Sequence, residues 1–327
     1  MFYTETNSAD PCFNLAFEEY LLTNKKDGSL LMLWQNTSTV VIGMNQNAEA
    51  EINREYVEAH NVTVVRRKTG GGAVYHDIGN LNYSFISDAG PLEELDFGRF
   101  ALPVCRALSA LGVPAESTGR NDILVDGKKV SGVAQRVLNG RVLHHGTLLF
   151  DSDPEAIAGA LKADPGKFKS KSTKSVKSRV GNLKDYLPGI ESIEDFKNAI
   201  LEELSKGEVL IRYSPAEEEL KTIEEISKQY RSREWTYGRS PEFEYNNKMR
   251  FEKGSLAVSA DIRKGNISGI MFTGDFMAKA DLTDIEAALT GSRYDKAAVK
   301  DILQNFDLDS CFGGLTADEI TEVLFNG

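Results

Sequence analysis

Cysteine, histidine and tryptophan are scarce in this chain of 327 residues, with three, four and two copies. Cys12, Cys105 and Cys311 are far apart and form no CxxC pair, and an odd count argues against a disulfide framework. His60, His76, His144 and His145 include no HxxxH spacing. Adjacent histidines on a strand face opposite ways, so a structural metal site is not expected. No apolar run approaches the roughly 18 residues that a membrane helix needs. The start, Met1-Phe2-Tyr3-Thr4-Glu5, has no basic segment followed by an apolar one, so no secretion signal is expected and the cytoplasm is the simplest location. Positive charge is also in deficit: 38 Lys and Arg stand against 49 Asp and Glu, a net charge of −11. Such a surface repels nucleic acid unless one face is locally basic. It does not exclude a nucleotide, which needs only a basic pocket.

What is present is ordinary for a globular protein, and the length suits one large domain plus one small one. Pro11 to Leu22 has the apolar spacing of a helix. Leu30–Trp34 and Thr39–Ile42 read as two strands of a hairpin, and Val62–Arg66 as a strand feeding a glycine run. Ala73–His76 and Leu81–Ile86 follow as strands. Phe97–Leu111 reads as a helix that Pro103 could kink, stopped by Gly112. Asp126-Gly127 and Asn139-Gly140 are hairpin turn signals between strands at 123–125, 129–137 and 141–150. Gly166 to Arg179 is rich in lysine and serine and has no acid. Helices are expected at 193–205 and 215–231. Strands at 249–253, 256–262 and 267–273 and helices at 281–289, 297–306 and 316–324 follow a break at Gly238-Arg239-Ser240-Pro241. The expectation is an α+β fold with a mixed central sheet, divided into residues 1–240 and 241–327.

Three consecutive glycines, Gly70-Gly71-Gly72, need a reason, because each costs folding entropy relative to alanine. Without Cβ atoms, backbone N–H groups can approach and cradle a phosphate. Arg66, Arg67 and Lys68 precede the run, and a guanidinium fork beside free N–H groups suits phosphate or carboxylate. A tight surface turn is the bland alternative. The spacing is neither a Walker loop nor GxGxxG before a helix. Lys128 and Lys129 lie on a strand, so one of them faces water and the other the opposite side. A lysine on a half-buried strand face is costly unless it meets an anion, and there it could stabilise charge as a carboxylate and a phosphate combine. His76 and His145 either line the pocket or merely bond to neighbouring strands. The lysine- and serine-rich segment is either a solvated loop or a cover for a nucleotide anion.

Taken in order, these segments resemble the lipoate–protein ligase family. The run Arg66-Arg67-Lys68-Thr69-Gly70-Gly71-Gly72-Ala73-Val74-Tyr75-His76-Asp77-Ile78-Gly79-Asn80 is similar to its lipoate-binding motif. Gly119-Arg120-Asn121-Asp122, Lys129-Val130-Ser131-Gly132 and His144-His145-Gly146-Thr147 follow in family order, and Lys174 to Val180 resembles its adenylate-covering loop. The tail after residue 240 resembles the accessory domain of the longer bacterial ligases. The resemblance implies a biotin/lipoate ligase-like catalytic domain, ATP as substrate with Mg²⁺, and lipoyl-adenylate as intermediate. It implies acceptors that are lipoyl-domain proteins, either 2-oxoacid dehydrogenase E2 or the glycine-cleavage H protein. By motif position Arg67 would bind phosphate, and Gly72, Ala73, Val74 and Tyr75 would line the adenylate. Lys129 would touch carbonyl and phosphate. Gly71, His76, Asn80, Asn121, Asp122 and His145 fall on the substrate side. Asp122 is the nearest matching carboxylate for Mg²⁺. Lys68-Thr69 departs from the small hydroxyl residues common there, which is expected to matter little.

The nearest rival is an octanoyl or lipoyl transferase of the same fold, which passes its acyl group through a cysteine without ATP. That nucleophile should lie in an exposed electropositive loop, whereas Cys105 and Cys12 lie in or near apolar helix patterns. A transfer-only module that accepts preformed adenylate is the other alternative.

Overall fold

Asp126, Gly127, Asn139 and Gly140 all take positive φ, from 50° to 76°. These are the backbone states that Asp-Gly and Asn-Gly turns accommodate, and they fold three strands back on one another. In the computed structural model the residues described are 1–91, 98–118, 122–162, 179–238, 243, 245–263 and 265–325. The elements are β1 (Phe2–Glu5), α1 (Pro11–Asn24), β2 (Leu30–Trp34), β3 (Thr39–Ile42), α2 (Ala48–Glu51), α3 (Arg54–Ala59), β4 (Thr63–Arg66), β5 (Val74–His76) and β6 (Asn80–Asp88). Then come α4 (Gly98–Ala110), β7 (Ala115–Ser117), β8 (Asp122–Val125), β9 (Lys128–Leu138), β10 (Arg141–Leu149), α5 (Pro154–Ala160), α6 (Ile193–Leu204), β11 (Ile211–Arg212), α7 (Glu217–Arg231) and α8 (Arg233–Tyr237). The chain closes with β12 (Tyr245–Phe251), β13 (Gly254–Arg263), β14 (Asn266–Gly274), α9 (Thr283–Leu289), α10 (Lys296–Leu303), α11 (Leu308–Phe312) and α12 (Ala317–Phe325).

Eight strands form one mixed sheet in the order β11-β1-β2-β6-β10-β9-β8-β7. Side chains alternate across it. Leu31 and Leu33 enter a core with Val104 and Leu108 of α4 and Phe196 and Ile200 of α6. Leu30, Met32 and Trp34 enter the opposite core with Leu15 and Leu21 of α1 and Ile223 of α7. The sheet is therefore a layer between helices, the α+β arrangement expected. Asp10 caps α1 by accepting from the Cys12 N–H, with Pro11 as its first residue.

The hairpin expected between β2 and β3 does not form. β2 pairs with β1 and β6 in the large sheet. β3 is the middle strand of a second, three-stranded sheet, parallel to β4 and antiparallel to β5. Both strands are buried throughout, so neither presents the polar face that would have revealed its partner. α4 runs through Pro103 without interruption and stops at Gly112, whose φ is 90°. Short helices α2, α5, α8 and α11 have no counterpart in the sequence-based expectation.

β12, β13 and β14 form a separate antiparallel sheet. Its core, with Val258, Phe272, Ile285, Val299 and Ile320, is drawn entirely from residues after 243.

Candidate active site

The glycine run crosses from β4 to β5 and is held from three sides. Gly43 approaches so closely that a Cβ there would lie 2.0 Å from the Gly71 carbonyl oxygen. Gly71 has φ +86°, and its N–H donates to the Phe276 carbonyl at 3.4 Å. Gly70 packs on that same carbonyl and on the Ala278 N–H. The sequence suggested a run of free N–H groups. In the structure the segment after β14 occupies one of them, and Gly72 and Ala73 face the cavity instead.

The three basic residues before the run also divide. Arg66 turns inward, and its guanidinium donates to the carbonyls of Gly43, Met44, Gln46, Trp235 and Thr236. Lys68 pairs with Glu19 at 2.5 Å. Only Arg67 lines the cavity. It donates to Thr69 Oγ1 at 2.9 Å, to the Val41 carbonyl at 3.1 Å, and to the Gly70 and Gly72 carbonyls at 2.6 and 2.8 Å. Those bonds use four of its five N–H groups and leave one on Nη1. Burial lowers its pKa to about 10, so it is cationic at neutral pH.

Opposite lies Lys129. β8 and β9 lose register between Ile123 and Leu124, where Ile123 pairs with Ser131 but Leu124 pairs with Lys129. Val130 is the extra residue. The shift brings Lys129 onto the face that carries Gly132, three residues on, where strict alternation would have separated them. A Cβ on Gly132 would lie 3.0 Å from Lys129 Nζ, so the glycine makes room for the lysine. Lys129 has an anionic partner: Nζ meets Asp122 Oδ1 at 2.7 Å. Its backbone N–H donates to the Arg179 carbonyl at 2.6 Å, and its carbonyl accepts from Gly181 at 2.9 Å.

Between these walls is a cavity of about 500 Å³, with Leu15, Trp34, Val41 and Val74 as its apolar part. His76 lies against Trp34, edge to face. Asn14 donates to the carbonyl of Gln35 and to Asn36 Oδ1, so the Asn36 amide donates to His76 Nδ1 at 3.0 Å. The His76 proton is thereby placed on Nε2, which has no partner among the described residues. Burial depresses the His76 pKa to about 3 and keeps the ring neutral. Asn80 donates to Asn82 Oδ1, leaving the Asn82 amide N–H groups unmatched at the cavity wall.

Of the residues nominated from sequence, Arg67, Gly72, Ala73, Val74, His76, Asp122, Lys129 and His145 line this one cavity. Gly71 lies behind it. Tyr75 turns its side chain into the core with Val40 and Ile42, and Asn80 sits one step back, behind Asn82. Asn121 lies outside the described residues, as does most of the lysine- and serine-rich segment; Arg179, at its end, lines the cavity. Sequence reasoning missed Glu18, Trp34 and Asn82. Glu18 is 3% exposed on a helix that is otherwise apolar around most of its circumference. A charged residue inside an apolar helical face was the available signal. Among the described residues no group of three His, Cys, Asp or Glu could hold a metal ion, and no helix is long and apolar enough to cross a membrane.

The family description "lipoyl protein ligase A/B catalytic domain" matches residues 10–205, and "bacterial lipoate protein ligase C-terminus" matches residues 240–324. This chain belongs to the lipoate–protein ligase family. It is 40% identical to lipoate–protein ligase 1 of Staphylococcus aureus, over 99% of both chains. Its fold is similar to that of Plasmodium falciparum LipL1 in complex with lipoate, with a TM-score of 0.79, 24% identity and 94% coverage of each chain. A lipoate–protein ligase A bound with ATP is 25% identical, with a TM-score of 0.61, over 72% of this chain and 98% of that one.

Proposed function

We propose that this chain is an ATP-dependent lipoate–protein ligase and that the cavity between the glycine run and Lys129 serves both half-reactions. In the first, a lipoate carboxylate oxygen bonds to the α-phosphorus of ATP as the bond to pyrophosphate breaks, giving lipoyl-adenylate. In the second, an acceptor lysine amine bonds to the lipoyl carbonyl carbon, AMP departs, and the amine loses a proton. No side-chain nucleophile is required, because the adenylate is already activated.

The reading rests on one placement: Lys129, ion-paired with Asp122, shares a cavity with Gly72, Ala73 and Arg67. A cation there counters the negative charge of both carboxylate and phosphate as they combine. Arg67 offers its remaining N–H to phosphate, and the backbone of Gly72 to Tyr75 follows the adenylate. His76 Nε2–H and the Asn82 amide are donors for substrate oxygens. The apolar wall of Leu15, Trp34 and Val41 suits an acyl chain. Gly71 and Asn80 support this wall from behind, and Asn121 would contact substrate by its place in the motif.

Mg²⁺ would come with the triphosphate and counter its charge, and Asp122 would be the adjoining carboxylate. The acceptors are lipoyl domains, of 2-oxoacid dehydrogenase E2 or of the glycine-cleavage H protein. The reading also takes residues 1–240 as catalytic and 241–327 as accessory, in a cytoplasmic enzyme.

An acyl-cysteine transferase is disfavoured because Cys12, Cys105 and Cys311 are buried and none lines the cavity. The test is the mass of an apo acceptor domain incubated with enzyme and free lipoate. A lipoyl gain that requires ATP is expected. A gain only from an acyl-carrier donor would replace the ligase with the transferase, and a gain only from synthetic lipoyl-adenylate would leave a transfer-only enzyme.

A further inference from the structure

Five hydrogen bonds run through the core behind the cavity in two arms, and all their protons point towards Glu18. Trp34 Nε1–H donates to Ser84 Oγ at 2.9 Å, and the Ser84 hydroxyl donates to Glu18 Oε1 at 2.6 Å. From the other side, Arg67 Nε–H donates to Thr69 Oγ1 at 2.9 Å. Thr69 Oγ1 lies 2.8 Å from His145 Nε2, and His145 Nδ1 lies 2.8 and 3.0 Å from the two Glu18 oxygens.

A carboxylate only accepts, so His145 carries its proton on Nδ1. In the neutral ring Nε2 is then an acceptor and takes the single Thr69 hydroxyl hydrogen. The Thr69 lone pairs are left facing Arg67. Each proton position follows from its neighbour, and Glu18 is the terminal acceptor. The line joins the Glu18 carboxylate to the Arg67 guanidinium through an imidazole and a hydroxyl. It ends where Arg67 Nη2 grips the carbonyls of Gly70 and Gly72.

We infer that Glu18 and Thr69 are positioning residues of the ligase site, acting through His145 and Arg67 to fix the guanidinium and the glycine run. This rests on the ligase reading above for its kinetic consequence, but not for its geometry. Neither Glu18 nor Thr69 lines the cavity. Thr69 has the shape of valine, so its packing and its hydroxyl can be separated experimentally.

The experiment compares the full-length wild type with Thr69→Val, Thr69→Ser and Glu18→Gln. Lipoate-dependent ATP–pyrophosphate exchange and long-range ¹H–¹⁵N spectra of the histidine rings are both recorded. Thr69→Val is expected to lower kcat about tenfold to a hundredfold, with KM for lipoate changed less than about threefold and thermal stability retained. Thr69→Ser, which restores the hydroxyl, should return kcat to within about threefold of wild type. The wild-type His145 ring should show an unprotonated Nε2, and Glu18→Gln should disturb that pattern. Wild-type kcat in Thr69→Val, or equal losses in the valine and serine variants, would overturn the positioning role. A protonated His145 Nε2 in the wild type would overturn the geometry whatever the activity. A wild type that exchanges no pyrophosphate, with Nε2 unprotonated, would instead overturn the ligase reading and with it the kinetic half of the inference.

Discussion

Lys129 reaches Asp122 only because the two strands that carry them slip by one residue. The 2.7 Å ion pair spans the register shift that leaves Val130 unmatched, and the shift turns Lys129 onto the cavity face with Gly132. Both partners remain about one-third exposed, so the pair adds little to stability. Its value is in aiming a cation.

Lys129→Ala should therefore remove activity and spare the fold. A loss of at least about a hundredfold in kcat for pyrophosphate exchange is expected, with a melting temperature within a few degrees of wild type. Exchange at a near wild-type rate would remove Lys129 from the chemistry.

Gly132→Ala tests the aim separately from the charge. The new Cβ would meet Lys129 Nζ at 3.0 Å and Cε at 3.1 Å. The flexible tip can yield, so folding should survive, but a displaced ammonium should cost about tenfold or more in kcat. Unchanged kinetics in a variant whose Lys129 has moved would show that the position of this cation is not critical.

Thiol reagents distinguish a ligase from an acyl-cysteine transferase. Burial pushes the Cys12 thiol up to about 11 and raises that of Cys105 and Cys311. At pH 7.5 about one Cys12 in 3,000 is thiolate, and attack needs the thiolate. Iodoacetamide should leave lipoylation intact for the life of the folded protein. Inactivation in step with labelling of one cysteine would revive the transferase.

Acid should weaken the fold through two histidines. Burial holds His76 and His144 at about 3, against 6.5 for an imidazole in water. Above pH 6.5 both are neutral, folded or unfolded, and no stability is lost. Below it the unfolded chain takes up protons that the folded chain refuses, so stability falls until about pH 3. At pH 5 each ring costs about 2 kcal/mol. His144 lies between the rings of Tyr83 and Phe100, so His144→Phe should remove about half of the loss between pH 7.5 and pH 5. Denaturant unfolding at both values measures it; an unchanged pH dependence in that variant would reject the assignment.

Local chemistry made some of this legible in the sequence. The Asp-Gly and Asn-Gly turns and the glycine run need backbone states that few residues tolerate, so they could be placed without the structure. The separation of β2 from β3 could not, because two strands buried on both faces carry no mark of their partner. Arg66 and Arg67 look equivalent in the sequence, yet one is caged by carbonyls and the other faces the cavity, since neighbours on a strand point opposite ways. Glu18 was hidden by its apolar helix, and its purpose depends on His145, 127 residues away.

The cage around Arg66 has a consequence for how the enzyme is made. Two of its carbonyls come from Trp235 and Thr236, about 170 positions later in the chain, and the clasp on Gly71 comes from Phe276. A nascent chain that has left the ribosome only as far as the lysine-rich segment holds the glycine run and Lys129 but lacks those braces. Its pocket is braced by residues translated long after the glycine run and Lys129, so reactive adenylate has no completed site to form in until synthesis is nearly over.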